Sequence, residues 1–147
     1  MKDTICKARR LDNGEWITGY FVKLKSGSVE TCRIYTGPAE VDTAVEEWYP
    51  TFYEVEPDTV CASTGMTDSK GNLIFENDFL MYDYSKRGNQ VKSKVVYHPG
   101  QFQCVDSAYR VMSLNRVVDC DPWNSTEVVG NYFDDYKIDT TKYRGFE

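Results

Sequence analysis

Apolar and polar positions alternate along the first part of the chain, and turn-forming residues interrupt the alternation. After Asp12-Asn13-Gly14, one face of residues 16–24 carries Trp16, Thr18, Tyr20, Val22 and Leu24, and the other carries Ile17, Gly19, Phe21 and Lys23. A period of two is typical of a β-strand, and Asn-Gly between two such runs predicts a hairpin. The turn residues 25–28 lead into a predicted strand at 29–35. Pro38 ends that strand because proline lacks the amide hydrogen that a sheet requires.

Short β-type segments continue through the rest of the chain. Further strands are predicted at 52–55, 59–62, 73–75, 79–84, 94–97, 102–105, 111–118 and 127–133. Turn formers separate them, and His98-Pro99-Gly100 predicts a hairpin within residues 94–105. Many short strands with turns between them predict an all-β, mainly antiparallel fold, arranged as a small barrel or sandwich.

One segment has a different period. Val41, Ala44, Val45 and Trp48 recur at i, i+3, i+4 and i+7, which is the spacing of one helix face. This pattern indicates a short helix over 40–48. The final segment, 136–147, has few aliphatic residues and is interpreted as a C-terminal extension that docks through its aromatic residues.

Composition narrows the function classes. The 147 residues suit one domain, or one domain with a smaller lobe, and the 14% aromatic content favours strands. The formal net charge of −6 argues against a protein that coats duplex DNA by neutralising its phosphates. No apolar run approaches the ~20 residues of a membrane helix, and the first residues lack the apolar stretch of a signal peptide. We therefore expect a cytoplasmic protein.

The five cysteines are widely spaced, and no two form a C-x-x-C pair. This spacing predicts neither a zinc ribbon nor a thioredoxin-like redox site. In a reducing compartment we expect five free thiols, most of them packed as small hydrophobic groups.

Two sets of residues are candidates for acid–base or metal chemistry. Asp58, Asp68, Glu76 and Asp78 could bind a hard cation or act as acid and base, although their spacing is not that of an EF-hand. The alternative, which we favour, is that these side chains accept hydrogen bonds from backbone amides in turns. His98 is the only histidine and lies at a predicted hairpin tip, with no nucleophile motif to accompany it. We predict no catalytic residue, no cofactor and no metal site.

A basic stretch is the clearest candidate for binding. Lys86, Arg87, Lys92 and Lys94 follow Tyr84 with no acidic residue among them. Cations beside aromatic rings on a small β-barrel suit single-stranded nucleic acid or another anion. The alternative, which the net charge favours, is a solvated loop or an edge strand that lysines protect from aggregation.

Four phrases of the sequence, in order, resemble a known family. They are residues 55–71 (VEPDTVCASTGMTDSKG), 74–79 (IFENDF), 95–102 (VVYHPGQF) and 127–132 (EVVGNY). Together they resemble the YopX family of phage and prophage proteins, over about residues 7–135. The chain has Ala62 where that family usually has Gln, and Asn77 where it has Gly. The second difference predicts that Asn77 adopts the left-handed backbone conformation that glycine adopts readily.

The resemblance implies an N-terminal β-rich lobe followed by a C-terminal SH3-like barrel, and it implies no established activity. We assign residues 1–53 to the lobe, 54–135 to the barrel and 136–147 to the extension. The function predicted for the chain is a non-enzymatic binding or assembly module in the cytoplasm of a host cell, whose partner is a second copy or a host or phage protein. The alternative is a nucleic-acid-binding module that uses the basic stretch 86–94.

Overall fold

The structure, a computed structural model, describes residues 5–36, 40–42, 47–49, 51–83, 88–119, 121 and 124–139, with backbone alone at 40–42 and 47–49. Its strands are β1 (Ile5–Arg9), β2 (Trp16–Ser26), β3 (Val29–Tyr35), β4 (Glu40–Asp42), β5 (Glu47–Tyr49), β6 (Phe52–Glu54), β7 (Cys61–Thr67), β8 (Leu73–Phe75), β9 (Asp78–Asp83), β10 (Gln90–His98), β11 (Gln101–Asp106), β12 (Val111–Ser113) and β13 (Glu127–Asn131). A 3₁₀ turn (Pro57–Thr59) and one short helix, α1 (Leu114–Asp119), complete these elements. The strand pairings are antiparallel. The predicted all-β fold is confirmed.

The chain divides into two compact units, one of Met1–Ala62 with Lys137–Glu147 and the other of Ser63–Tyr136. Each has its own hydrophobic core. In the described part of the chain, no helix has the length and apolar character needed to span a membrane.

In the first unit the strands pair in the order β6-β3-β2-β1, and the first two residues of β7 pair with β1. The core contains the buried residues Cys6, Ala8, Cys32, Ile34 and Val55. Ile17 and Phe21 of β2 pack against it, whereas Tyr20 and Leu24 are exposed. The sheet therefore buries the Ile17–Phe21 face of β2 and presents the Tyr20 face outward.

Two predicted hairpins of this unit are confirmed. Asp12-Asn13-Gly14 lies in the loop between β1 and β2. Ser26 pairs with Val29 across the two-residue loop Gly27-Ser28. The φ of +61° at Gly27 is the positive angle that the first loop position of a type II′ hairpin requires.

The helix predicted over 40–48 is wrong at the positions that the structure describes. Glu40–Asp42 and Glu47–Tyr49 are strands that pair antiparallel, with Val41 opposite Trp48. A nine-residue helix forms few internal hydrogen bonds to offset the cost of nucleation. The hairpin instead pairs the backbone groups of both segments, so the apolar spacing was a misleading signal.

In the second unit a five-stranded sheet has the order β12-β11-β10-β9-β13, and it curls into a half-barrel. Its core contains Ile74, Leu80, Tyr82, Val95, Cys104, Leu114 and Val117. The predicted hairpin at His98-Pro99-Gly100 is confirmed, since His98 pairs with Gln101. Asn77 has a φ of +69°, which confirms its predicted left-handed conformation.

The strand predicted over 111–118 is wrong beyond its first three residues, because α1 begins at Leu114. Ser113 Oγ accepts a hydrogen bond from Arg116 N at 3.3 Å, as an N-cap residue does. Leu114 and Val117 are both buried in the core. Their i, i+3 spacing places them on one side of a helix, whereas a strand would place them on opposite faces.

Candidate functional site

The buried acidic side chains of the second unit act as turn acceptors. Asp68 Oδ1 accepts hydrogen bonds from Lys70 N (3.0 Å) and Asn72 N (2.8 Å), and Oδ2 accepts one from Val128 N (3.0 Å). Burial on its own raises the pKa of Asp68, but these hydrogen bonds outweigh it and hold the pKa below its ordinary value. Asp68 thus fastens the turn between β7 and β8 to β13.

Asp78 has the same kind of role at the next turn. Its Oδ2 accepts a hydrogen bond from Phe75 N (2.7 Å), and its Oδ1 accepts one from the Asn131 side chain (2.8 Å). Glu76 is half-buried; burial raises its pKa, and the charge of Lys94 opposes that rise. Asp58 lies exposed in the 3₁₀ turn. Within the described ranges no three His, Cys, Asp or Glu side chains are arranged to hold a metal ion.

The histidine and the cysteines lie apart from any such cluster. His98 is exposed at the end of β10. Cys6, Cys32, Cys61 and Cys104 are buried reduced thiols, as predicted, and Cys120 lies outside the described residues. Burial raises the pKa of Cys104 to about 12, so this thiol stays protonated at physiological pH.

The basic stretch is described in part. Lys86 and Arg87 lie outside the described residues, whereas Lys92 and Lys94 occupy alternate positions of β10. The two therefore share a face of the sheet, about 7 Å apart along the strand. Lys92 Nζ lies 4.7 Å from the centre of the Phe79 ring, and Lys94 Nζ lies 3.8 Å from that of Tyr132.

These two lysines border a groove of about 760 Å³. Phe79 and Val105 are the cross-strand neighbours of Lys94, so they form an apolar floor beside its ammonium group. Val96 lines the groove as well. A volume in this range suits a small ligand or a short chain segment.

The turn after β11 forms another wall of the groove, and sequence reasoning did not anticipate it. Asp106 accepts hydrogen bonds from Ala108 N and Arg110 N (both 2.9 Å) and from Arg110 Nε (2.8 Å). The hydrogen bond from Arg110 N, together with those from Arg110 Nε and Ala108 N, holds the pKa of Asp106 below its ordinary value. An Asp followed four residues later by Arg in a polar segment was a signal for such a turn, but it did not place the turn beside β10.

The groove thus combines an apolar floor with two ammonium groups that rest on aromatic rings, and with an Arg110–Asp106 ion pair at its edge. This arrangement can hold a ligand that carries both apolar and anionic groups. Of the four predicted contact residues, Lys92 and Lys94 lie together at this groove, and Lys86 and Arg87 lie outside the described residues.

Comparisons with known proteins agree with the resemblance in the sequence. No curated protein sequence matches this chain. The crystal structure of protein EF1440 from Enterococcus faecalis is similar, with a TM-score of 0.55 and 16% sequence identity. The match covers 92% of this chain and 97% of that one, and at this identity it shows a shared fold. The family model described as YopX protein matches residues 13–137, which is most of the chain. The chain therefore belongs to the YopX family.

Proposed function

We propose that this chain is a non-enzymatic binding and assembly module that holds an acidic protein surface in the groove on β10. The observation that supports this proposal is the groove itself, in which Lys92 and Lys94 stand beside the apolar side chains of Phe79, Val96 and Val105. Apolar contacts supply affinity, and the lysines select a partner with carboxylates beside its apolar groups.

The hydrogen-bonded carboxylates around this sheet support a binding role over catalysis. Asp68, Asp78 and Asp106 each accept hydrogen bonds that fasten turns. A catalytic carboxylate instead needs a free position towards a substrate. The proposal therefore assigns the groove to recognition.

A second copy of the chain is a partner to test first. The sequence holds 23 acidic residues against 17 basic ones, so a copy can offer carboxylates to the groove. A host or phage protein with an acidic, apolar surface is the other partner that we propose. Both fit a protein that acts in the cytoplasm of a host cell.

The experiment compares the double substitution Lys92→Glu with Lys94→Glu against a control of equal charge, Lys25→Glu with Lys137→Glu. Lys25 and Lys137 are exposed and lie outside the groove. Light scattering across the micromolar range reports oligomers, and pull-downs followed by reconstitution with the purified partner report other complexes. We expect the groove variant to lose assembly and the control to retain it. Two results together contradict the proposal. The wild type is a monomer at every concentration, and no purified partner binds the groove variant more weakly than the control.

Nucleic acid is the second candidate ligand of the groove. The observation that favours it is the pair of lysines against the Phe79 and Tyr132 rings, which combines phosphate-binding and stacking groups. Fluorescence anisotropy with labelled single-stranded and duplex oligonucleotides tests it. The slope of the logarithm of the binding constant against the logarithm of the salt concentration (the salt slope) falls by about 1 for each phosphate contact that is lost. The groove variant removes two lysines, so its salt slope should fall by about 2. An unchanged slope, or no wild-type binding at low salt, rules this candidate out.

A further inference from the structure

Aromatic side chains are concentrated on the outward face of the first unit's sheet, whereas the groove on β10 belongs to the second unit. Tyr20 of β2 pairs with Tyr35 of β3, and Tyr35 pairs with Phe52 of β6. Three rings therefore form a row across three neighbouring strands. Trp16 lies on the same face of β2, because it is four positions from Tyr20 and side chains at even spacings share a face of a strand. We call Trp16, Tyr20, Tyr35 and Phe52 the aromatic face.

This face is not needed for the hydrophobic core of the unit. The core takes the opposite side of the same strands, including Ile17 and Phe21 of β2 and Cys32 and Ile34 of β3. Tyr20 remains 42% exposed and Phe52 38% exposed. Large rings left in water on a regular sheet face are a feature of recognition surfaces.

Cations rest against these rings. Lys7 Nζ lies 4.9 Å from the centre of the Trp16 ring, and the Arg33 guanidinium carbon lies 4.2 Å from that of Phe52. Such contacts hold the charged groups beside the ring faces. The Tyr35 and Phe52 rings are themselves 5.4 Å apart, with their planes inclined at 43°.

Arg33 carries an unmet hydrogen-bonding requirement. Its Nε atom is buried and has no hydrogen-bond partner among the residues that the structure describes. A buried donor without an acceptor is costly, so a movement of the Arg33 side chain that brings this atom to an anionic oxygen of a ligand would be favourable.

The charge on this face is opposite in sign to that of the whole protein. By strand alternation, its described side chains include the cations Lys7, Arg9 and Arg33 and one carboxylate, Glu54. The formal charge of the chain is −6. A local excess of cations among four rings is therefore a specific feature, and it is complementary to an anionic ligand with planar groups.

We propose that the aromatic face binds single-stranded nucleic acid. Unpaired bases would stack on Tyr20 and Phe52 and on the guanidinium plane of Arg33, while backbone phosphates would accept hydrogen bonds from the Arg33 guanidinium group and from Lys7. Duplexes are disfavoured because their bases are already stacked on one another. An acidic peptide fits less well, since its carboxylates provide no planar groups for a row of rings.

This inference is independent of the function proposed for the groove, because the two surfaces belong to different units. Nucleic acid bound in the groove would depend on Lys92 and Lys94. Nucleic acid bound at the aromatic face would depend on Tyr20 and Phe52. The two sites can therefore be separated by substitution.

The test uses the full chain and fluorescein-labelled oligothymidine and oligouridine, each longer than the ~16 nucleotides at the upper end of known single-strand site sizes. The variants are Tyr20→Leu and Phe52→Leu, which keep apolar bulk but remove the ring. Tyr20→Phe keeps the ring and is the matched rescue. Tyr97→Leu is the control, since Tyr97 is 56% exposed in the other unit. Circular dichroism and thermal melting verify that each variant is folded.

We expect each leucine variant to weaken binding about 5- to 150-fold, the range of one stacking interaction, while Tyr20→Phe and Tyr97→Leu bind like the wild type. Arg33→Gln should reduce the salt slope by about 1 for each phosphate that the guanidinium neutralises. Comparison of the two probes shows whether DNA or RNA is preferred.

Four results would overturn the inference. They are no wild-type binding at low salt, equal affinity for single strands and duplex, unchanged affinity in both leucine variants, and a loss that follows Lys92 and Lys94 alone. The last result would place nucleic acid in the groove and support the second candidate function. A change of oligomeric state in Tyr20→Leu without any nucleic-acid binding would instead identify the face as a contact between copies.

Discussion

Asp68 offers the sharpest test of how the family's sequence phrases maintain the fold. It is 6% exposed and accepts backbone hydrogen bonds from Lys70, Asn72 and Val128. The bond to Val128 joins positions 60 residues apart in sequence. Asp68→Ala removes both acceptor oxygens and with them all three backbone hydrogen bonds, whereas Asp68→Asn keeps an oxygen for the turn but offers an NH₂ group to Val128 N.

The expected cost follows from the surroundings of each donor. Lys70 and Asn72 are surface residues, so water can replace part of what their N–H groups lose. Val128 is partly buried, and its N–H loses its acceptor in a drier site. Asp68→Ala should therefore lower the free energy of unfolding by about 2–4 kcal/mol, and Asp68→Asn by about 1–3 kcal/mol. Either change is measurable against a domain stability of about 5–15 kcal/mol.

The same hydrogen bonds make the contribution of Asp68 dependent on pH. Its pKa is lower in the folded chain than the ordinary value of 3.8, so the unfolded chain binds its proton first as the pH falls. The stabilisation is fully present above the ordinary pKa and is lost as the pH falls towards the folded pKa. The stability difference between wild type and Asp68→Asn should therefore shrink between about pH 5 and pH 3.

Urea unfolding followed by circular dichroism at several pH values measures both effects. Asp135→Asn is the control, because Asp135 is exposed and the charge change is the same. A free energy of unfolding for Asp68→Ala within about 0.5 kcal/mol of the wild type, the range of ordinary surface substitutions, would refute the structural role of Asp68. If the difference in free energy of unfolding between the wild type and Asp68→Asn does not change with pH, the link between stability and the protonation of Asp68 is refuted.

Three further predictions concern the backbone and the buried thiols. The free energy of unfolding of Asn77→Gly should be within about 0.5 kcal/mol of the wild type, whereas Asn77→Ala should lose about 1–2 kcal/mol because φ is +69° at this position. Equal melting temperatures for the alanine and glycine variants would contradict this prediction. Gly19→Ala should lower the free energy of unfolding by about 3 kcal/mol or more, since the alanine methyl group would collide with the Tyr35 carbonyl oxygen. A melting temperature like that of the wild type would contradict this and show that β2 and β3 separate easily. Cys104 should resist alkylation until the chain is unfolded in urea, because it is 1% exposed and its pKa is raised to about 12; labelling of the native protein at this site, located by mass spectrometry, contradicts the buried position.

The candidate site could be predicted in part. Lys92 and Lys94 are two positions apart, so strand alternation already places them on one face. The groove also needs Val105 and the turn from Asp106 to Arg110, which reach β10 through the pairing of β10 with β11. No local pattern specifies which residues of a neighbouring strand stand opposite a given lysine, because register depends on the whole hairpin and on the core face.

The motif residues of the YopX family act mainly through turns and buried hydrogen bonds. Thr59 is buried, accepts a hydrogen bond from Arg9 N (2.9 Å) and donates one to Glu56 O (2.8 Å). Asn131 donates to Asp78 at 2.8 Å. These hydrogen bonds explain why such residue types suit a fold. They do not identify a ligand.

The sequence by itself determined the strand periodicity and the hairpin turns, because Asn-Gly, Pro-Gly and Gly-Ser restrict the backbone within a few residues. Only the tertiary structure decided which face of β2 is buried, that residues 114–119 form a helix, and that 40–42 and 47–49 pair as strands. The physical reason is that a local pattern specifies a repeat along the chain. Burial and pairing depend on partners from distant segments, and these partners left Tyr20 and Phe52 exposed on one sheet and Lys92 and Lys94 beside a groove on the other.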